Sequence, residues 1–233
     1  MQEIVFKNFS TVLTDAQVAA IIPALQTQCD RDFCPVWKCG AVRLRFAAKT
    51  EKLSATAWLM GIYDDADQAG ALGYHDVTAN GTPLGKVFAK TTIDDGGSWT
   101  VTVSHELLEI LADPWIVSCV IDDSSNRVFA LEVCDAVEAD ELGYKIGGVQ
   151  LSDFVLPGFF ESGVHKGHSL SFCGHVRKPF ELAAGGYLSF LDLSDPSQGW
   201  QQETARKRPG TSRGATRKAV REAGGVRRLS LGE

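Results

Sequence analysis

One stretch of the chain combines a helical apolar pattern with three side chains that carry chemistry. It reads Ser104-His105-Glu106-Leu107-Leu108-Glu109-Ile110-Leu111-Ala112-Asp113-Pro114. Residues four apart lie on the same face of a helix, so His105 and Glu109 are placed to bind one metal ion. Glu106 lies about 100° farther around the helix, where it can reach a water molecule on that ion. The spacing predicts a metal-binding helix; a solvated helix face without any metal is the alternative.

The residues around this stretch predict a buried central helix. Its apolar stripe consists of Val103, Leu107, Ile110 and Leu111. Candidate caps precede it at Ser98, Thr100 and Thr102, and Asp113-Pro114 stops it. An unpaired Glu109 would be costly inside a core, which favours a metal ligand at that position.

Length and composition predict one main domain. The chain has 233 residues, of which 44% are hydrophobic, and composition changes only near the C-terminus. We predict a domain over residues 1–200 and an extended tail over residues 201–233. No apolar run reaches the roughly 18 residues of a membrane helix, and the first residues lack a signal-peptide pattern.

The six cysteines predict no metal motif by their spacing. They are Cys29, Cys34, Cys39, Cys119, Cys134 and Cys173, and no two form C-x-x-C. Buried thiols in a reducing compartment are the plain interpretation. A Cys29–Cys34 or Cys34–Cys39 disulfide stays open.

Charge divides the chain into an acidic body and a basic tail. Residues 203–233 carry nine Lys or Arg against three Glu, a net charge of +6. The preceding 202 residues therefore carry −12, because the whole chain has a formal charge of −6. We predict that the tail binds a protein, either another copy of the chain or another component of an assembly. Nucleic acid is less favoured, since no aromatic residues are interleaved for base stacking.

The N-terminal half predicts an alternation of strands and helices. Expected in order are a strand at 4–9, a helix from Thr14-Asp15 to Arg31, strands at 41–47 and 57–63, a glycine-rich stretch at 67–76 and a strand at 85–92. The last of these is the expected edge strand, whose unpaired backbone groups can hold an extended peptide. An edge strand that binds nothing is the alternative.

A carboxylate-rich segment after the helix offers the third metal ligand. A strand is expected at 127–134 and a hairpin at 144–146 and 149–155. Glu132, Asp135 and Glu138 are spaced by three, and they converge only if the chain turns after Cys134. We prefer Asp135 as the third ligand, with Glu132 next.

Several other polar residues are weaker candidates. His75, Tyr74 and Tyr144 are candidates to stabilise an oxyanion, and we select His75 as catalytic; packing or a surface pair with Asp76 is the alternative. His165, His168 and His175 lie among glycines, which favours a loop over a second metal site. Asp64, Asp65 and Asp67 lack EF-hand spacing, so a solvated turn is favoured over calcium binding.

The motif is the zincin H-E-x-x-H pattern with Glu in place of the second His. Around it the chain resembles a family of uncharacterised phage and prophage proteins with a zincin-like H-E-x-x-E helix, over roughly residues 5–200. The runs that carry the resemblance are residues 67–76, 83–88, 102–109, 132–135 and 149–157. It implies an α+β, zincin-like fold, with a mixed twisted sheet over a central metal-binding helix and an extended basic C-terminal arm. It also implies a role in the virion or the host cytoplasm.

These patterns predict a metal-dependent peptidase acting on a peptide or protein. His105, Glu109 and Asp135 or Glu132 would bind the ion, and Glu106 would be the general base. Zn²⁺ is the favoured ion; Mn²⁺ and Ca²⁺ are alternatives, because one nitrogen and two carboxylates discriminate weakly. The alternative function is a phage virion structural or adaptor protein that retains an inactive zincin scaffold and docks through residues 203–233. No membrane partner is expected.

Overall fold

The first half of the chain builds a five-stranded sheet and the helix that carries the motif. A computed structural model describes residues 1–68, 70–163 and 167–205. The elements of this half are β1 (Gln2–Asn8), α1 (Asp15–Thr27), α2 (Cys34–Trp37), β2 (Val42–Phe46), β3 (Trp58–Tyr63), β4 (Gly73–Val77), β5 (Pro83–Phe88), α3 (Ala89–Asp94) and α4 (Trp99–Ala112). The predicted α+β class is confirmed.

The order of strands in this sheet corrects the predicted edge. The order is β2-β1-β3-β5-β4, with β4 antiparallel to β5 and every other pair parallel. The predicted edge strand at 85–92 is wrong: β5 lies between β3 and β4, and the chain becomes helical at Ala89. The edge strand on this side of the sheet is β4, which the glycine-rich composition of residues 67–76 concealed, and β2 forms the other edge. Glycine lowers the strand signal of a sequence, so only the pairing reveals this strand.

The first helix follows its sequence signals up to one point. Thr14 and Gln17 form a capping box in which each side chain accepts a hydrogen bond from the other's backbone N–H. The chain is helical to Arg31 as predicted, but the helix changes type after Thr27, because residues Gln28–Phe33 form a wider π-helical turn before α2. That turn carries Gln28 into the core, where it contacts the motif helix.

The motif helix α4 is buried, as its apolar stripe predicted. It packs against β4, β5 and a later strand, residues Val149–Leu151, and its side chains from Val101 to Ile110 are buried. Ser98 occupies the N-cap position without a side-chain capping bond, and the helix ends at Asp113. The Asp113 carboxylate accepts hydrogen bonds from the backbone N–H groups of Val117 and Ser118. The chain is thereby turned away from the helix axis.

The second half adds a four-stranded antiparallel sheet and a small hairpin. Its strands are β6 (Cys119–Asp122), β7 (Arg127–Ala130), β8 (Tyr144–Ile146), β9 (Val149–Leu151), β10 (Tyr187–Asp192) and β11 (Trp200–Thr204). The larger sheet has the order β11-β10-β7-β6, and β8 pairs with β9. The predicted hairpin is confirmed, although its second strand ends at Leu151.

Two boundaries differ from the predicted ones in this half. The predicted strand at 127–134 ends at Ala130, and the chain then turns into a 3-10 segment at Asp135–Val137. Residues 201–204, which we assigned to the tail, belong to β11 and pair with β10. The folded body therefore extends past residue 200, because β11 pairs antiparallel with β10 along its whole length. The remainder of the predicted tail, residues 206–233, lies outside the described residues.

Two apolar clusters meet at α4. Leu107, Val103 and Ile110 join the core between the five-stranded sheet and α1, whereas Leu108 joins the core of the second half, around Phe154 and Phe159.

All six cysteines are described and reduced; Cys29 and Cys134 are buried, but Cys119 is exposed, contrary to the expectation of buried thiols. Within the described ranges, no helix has the length and apolar character that crossing a membrane requires.

Candidate metal centre

The two helix residues of the motif meet as the spacing predicts. His105 Nε2 lies 3.0 Å from Glu109 Oε1, one helical turn away. The two side chains are 2% and 0% exposed, because this face of α4 is turned into the protein. Their contact places an imidazole nitrogen and a carboxylate oxygen side by side in a region without bulk water.

A third residue approaches the same nitrogen from the segment after β7. Asp135 Oδ1 lies 3.2 Å from His105 Nε2. The turn after Cys134 brings Asp135 there, at the start of the 3-10 segment. A tetrahedral ion with bonds of about 2.0–2.1 Å holds its ligand atoms roughly 3.3 Å apart, close to both observed separations. His105, Glu109 and Cys134 also form a group whose ligand atoms lie within 4.8 Å of one another.

The other carboxylate oxygen of Glu109 faces a second histidine. His75 Nδ1 lies 3.5 Å from Glu109 Oε2 and 4.0 Å from Glu106 Oε2. His75, Glu109 and Glu132 form another group with ligand atoms within 4.8 Å of one another. Glu109 thus lies between two histidines, with Asp135 on the side of His105 and Glu132 on the side of His75. These residues, with Glu106 and Cys134, are called the helix cluster below.

The charges of the helix cluster act strongly on His75. Burial lowers the pKa of His75, but the hydrogen bond with Glu109 and the negative charges of Glu132, Glu109 and Glu106 outweigh it, so the pKa is raised. The Nε2 atom of the same ring is buried and has no hydrogen-bond partner among the described residues. The imidazole is therefore held on one side by carboxylates and is open to a ligand on the other.

The position of Glu106 depends on a glycine of the edge strand. A Cβ added to Gly73 would lie 2.8 Å from Glu106 Oε1 and 2.9 Å from the backbone oxygen of Lys86. Such distances are shorter than van der Waals contact, so a larger residue would displace the carboxylate or the paired strand. The glycine-rich stretch is therefore needed where β4 crosses α4.

Negative charge predominates in and around the helix cluster. Five carboxyl groups, on Glu106, Glu109, Glu132, Asp135 and Glu138, are each at most 5% exposed. Carboxyl groups that are buried this close together favour a cation among them. The donor set of imidazole, carboxylate and thiol fits a divalent ion of the zinc class.

The structure brings all six predicted site residues together and excludes two weaker candidates from the cluster. The Tyr74 hydroxyl donates to Asp67, and the Tyr144 hydroxyl donates to Asp32, so neither phenol serves the helix cluster. Sequence reasoning missed Cys134 as a candidate ligand. Its position between Glu132 and Asp135 was the available signal, but thiols were assessed only by their spacing from one another.

The aspartates considered for a calcium loop have other partners. Asp64 accepts hydrogen bonds from Ser10 and Thr11. Partial burial by itself raises the pKa of Asp64. The hydrogen bonds from Ser10, Thr11 and the Val12 backbone N–H have the larger effect, and they lower this pKa to about 2. Asp65 pairs with Lys90, and Asp67 pairs with Lys86. The three carboxylates thus connect the turn before α1 and two lysines, as expected for a polar surface turn.

Comparisons by sequence and by structure found no match to this chain among family models, curated proteins or solved structures. The geometry of the helix cluster is therefore the basis on which a function can be assigned.

Proposed function

We propose that the protein is a metal-dependent hydrolase of the peptidase class, in which His105, Glu109 and Asp135 bind one divalent ion. The observation that carries the proposal is that two carboxylate oxygens, from different elements, lie 3.0 and 3.2 Å from a single imidazole nitrogen. Both separations are close to the roughly 3.3 Å between the ligand atoms of a tetrahedral zinc ion. An ion bound beside Nε2 would therefore have one imidazole and two carboxylates as ligands.

The bound ion would lower the pKa of a water molecule toward neutrality and polarise a carbonyl group. Zn²⁺ suits the donor set best, and Cys134 adds a thiol beside it. Glu106 follows His105 directly on α4 and projects toward β4, where Gly73 leaves room for its carboxylate. In the proposed reaction Glu106 accepts the proton of the attacking water and delivers it to the leaving amine.

The edge of the five-stranded sheet supplies a place for an extended peptide. Strand β4 pairs with β5 on one side, with His75 opposite Gly85. A peptide added on its outer side would form main-chain hydrogen bonds with β4 and pass beside the helix cluster. A mixed sheet with an antiparallel edge strand over the motif helix supports the zincin-like interpretation, and β4 takes the role that we had expected of residues 85–92.

Metal analysis and a matched pair of variants test the proposal. Protein purified without chelator should contain one more equivalent of zinc than His105→Ala, whereas the exposed control His168→Ala should match the wild type. Glu106→Gln should keep the metal but cleave a peptide library at least about 100-fold more slowly than wild type, because a positioned general base contributes that much. Equal metal content in His105→Ala, or undiminished cleavage by Glu106→Gln, would refute the corresponding part.

A second candidate function is a structural or adaptor protein with an ion that does not act in catalysis. One observation favours it: every side chain of the helix cluster is at most 5% exposed. In this case the wild type, loaded with zinc, manganese or calcium, cleaves nothing in the library, yet the metal difference between wild type and His105→Ala persists. The nine basic residues of the tail would then dock on a virion component or on another copy. Replacing them with Gln in the full chain should abolish that assembly.

A further inference from the structure

A second group of metal-binding side chains lies on loops of the C-terminal half. It consists of Asp153, Cys173 and His175, whose ligand atoms all lie within 4.8 Å of one another. We call this group the loop cluster. It shares no residue with the helix cluster. Of the histidines first considered for a second site, only His175 belongs to it; His165 lies outside the described residues.

The two oxygens of the Asp153 carboxylate have different surroundings. Oδ1 accepts hydrogen bonds from the backbone N–H of Phe154, at 2.7 Å, and of Cys173, at 2.9 Å. Oδ2 is buried, since Asp153 is 0% exposed, and no described donor meets it with full hydrogen-bond geometry. The Cys173 thiol and the Ser171 hydroxyl interact with the same carboxylate. The thiol and the carboxylate are thus already neighbours, as two ligands of one ion must be.

The ring of His175 is oriented as in many metal sites. Its Nε2 lies 3.0 Å from the backbone oxygen of Leu142. A carbonyl oxygen only accepts, so in a neutral ring Nε2 carries the hydrogen and Nδ1 keeps its lone pair. Histidines that bind metals commonly donate the other ring N–H to a carbonyl or carboxylate in this way. The His175 backbone N–H is also fixed, by a 2.8 Å hydrogen bond to the Ser171 hydroxyl.

The backbone around the loop cluster is held at a few points. A single bridge joins Val155 to Ser171, and the Phe172 N–H donates to the Phe154 carbonyl at 2.9 Å. These bonds align Asp153 with Cys173, although 20 residues separate them in sequence. Within the described part of this loop there is no regular strand to keep the two segments together. An ion at this place would hold the segment of Asp153 and the segment of Cys173 together.

We propose that Asp153, Cys173 and His175 bind a divalent cation of the zinc class, with a structural role and independently of the helix cluster. One carboxylate, one thiolate and one imidazole are the three donor types that zinc takes in proteins. Cys173 is half-buried and His175 exposed, so a fourth position faces solvent. Binding releases the thiol proton of Cys173 to solvent, since the thiolate is the ligand.

Cobalt binding to the metal-free full-length protein tests this proposal. Co²⁺ takes zinc sites and gives a thiolate charge-transfer band when a cysteine binds it. Cys173→Ser should bind one equivalent of Co²⁺ less than the wild type, and its thiolate charge-transfer band should be weaker. The exposed control Cys119→Ser should match the wild type in both measurements. His105→Ala and Cys134→Ser identify the part of the Co²⁺ signal that comes from the helix cluster. The loss of one Co²⁺ equivalent caused by Cys173→Ser should also be seen when His105→Ala is present. The result therefore does not depend on whether the proposed hydrolase is correct.

A further variant protects the test against misfolding. His175→Ala changes an exposed side chain, and it should retain the wild-type circular dichroism while its Co²⁺ dissociation constant at this site rises at least tenfold. The proposal is overturned if Cys173→Ser and His175→Ala both bind as many equivalents of Co²⁺ as Cys119→Ser, with an unchanged thiolate band. Asp153 and its neighbours then form only a hydrogen-bonded loop anchor.

Discussion

The helix cluster and the loop cluster bring similar donor atoms together by different means. In the helix cluster, His105 and Glu109 are set by one helical turn, and their partners arrive from β4 and from the turn before Asp135. In the loop cluster, Asp153 and Cys173 meet through two loop segments joined by a single bridge. The first arrangement is encoded locally in the sequence. The second exists only after distant segments have packed.

The two clusters also differ in charge and in access to solvent. The helix cluster includes four carboxylates, Glu106, Glu109, Glu132 and Asp135, each at most 4% exposed. The loop cluster has one carboxylate, at Asp153, and its histidine is exposed. An ion should therefore contribute more to stability at the helix cluster, where it offsets buried negative charge. At the loop cluster an ion should exchange more readily, since it has a solvent-facing position.

The largest effect is expected from Glu109→Gln, because Glu109 contacts both His75 and His105. The substitution keeps the volume but removes the charge and one acceptor. Zinc affinity at the helix cluster should fall by more than about 100-fold, as even outer partners of a metal ligand contribute 10- to 100-fold. Isothermal titration with competing chelators would measure this. An unchanged affinity, or an equal loss in the exposed control Glu141→Gln, would contradict the assignment. Affinity at the loop cluster should not change.

The next effect is expected from Gly73→Ala. The new methyl group would lie 2.8 Å from Glu106 Oε1 and 2.9 Å from the Lys86 carbonyl oxygen. Overpacking of this kind costs about 1–3 kcal/mol in the free energy of unfolding. Chemical denaturation would show this loss, together with weaker metal binding at the helix cluster alone. Gly40→Ala is the matched control, because no atom lies within 4 Å of its added Cβ. Equal stability of the two variants would be evidence against the tight crossing of β4 and α4.

A smaller effect is expected from Ser104→Ala, which tests whether one buried pair of hydrogen bonds supports both clusters. Ser104 Oγ donates to Gln28 Oε1 at 2.7 Å and accepts from the Ser152 N–H at 3.0 Å. This buried bond pair connects the residue before His105 with the residue before Asp153. Its removal should cost about 1–2 kcal/mol, since buried polar groups lose their partners.

Thermal unfolding and Co²⁺ titration would separate the two consequences of Ser104→Ala. We expect lower stability and weaker binding at both clusters, whereas the exposed control Ser54→Ala should leave both unchanged. A change in binding at one cluster only would show that these hydrogen bonds support that cluster alone.

The smallest effect is expected from Asp64→Asn, which lies in neither cluster. Hydrogen bonds from Ser10 and Thr11 hold the pKa of Asp64 at about 2 in the folded chain, below the usual value near 4. Because the folded-state pKa is depressed, the stabilisation is present above about pH 4 and is lost as the pH falls through about 2. The variant should be less stable by up to about 1 kcal/mol at pH 7 and approach wild-type stability only below about pH 2. A difference that is independent of pH would refute this account. Metal binding should be unaffected.

Sequence reasoning succeeded where the determinants are local. The apolar stripe and the Asp113-Pro114 stop predicted α4, and the i, i+4 spacing predicted the contact of His105 with Glu109. The hairpin at β8 and β9 followed from its two glycines. The order of strands in the sheet could not be predicted, because the glycine-rich sequence concealed strand β4. Its Gly73 leaves room for Glu106, a residue more than thirty positions later, and no local pattern shows that contact.

The rest of the candidate sites depended on contacts between distant segments. Whether Glu132 or Asp135 reached the helix depended on the turn after Cys134, and the structure brings both there, on opposite sides of Glu109. In the loop cluster only His175 had a local signal, as one of three histidines among glycines. Asp153 is followed by apolar residues, and its alignment with Cys173 arises from backbone bonds that no periodicity encodes.

The placement of β10 between β7 and β11 has a consequence for the order of folding during synthesis. The five-stranded sheet has all its strands once Phe88 has been made, whereas β7 must wait for Tyr187–Asp192. Roughly 80 residues are added between the end of α4 and the end of β10, which takes about 4–16 s at 5–20 residues per second. Throughout that interval the Leu108 side of α4 lacks part of its covering. A nascent chain stalled before Tyr187 would therefore present an apolar surface prone to aggregation.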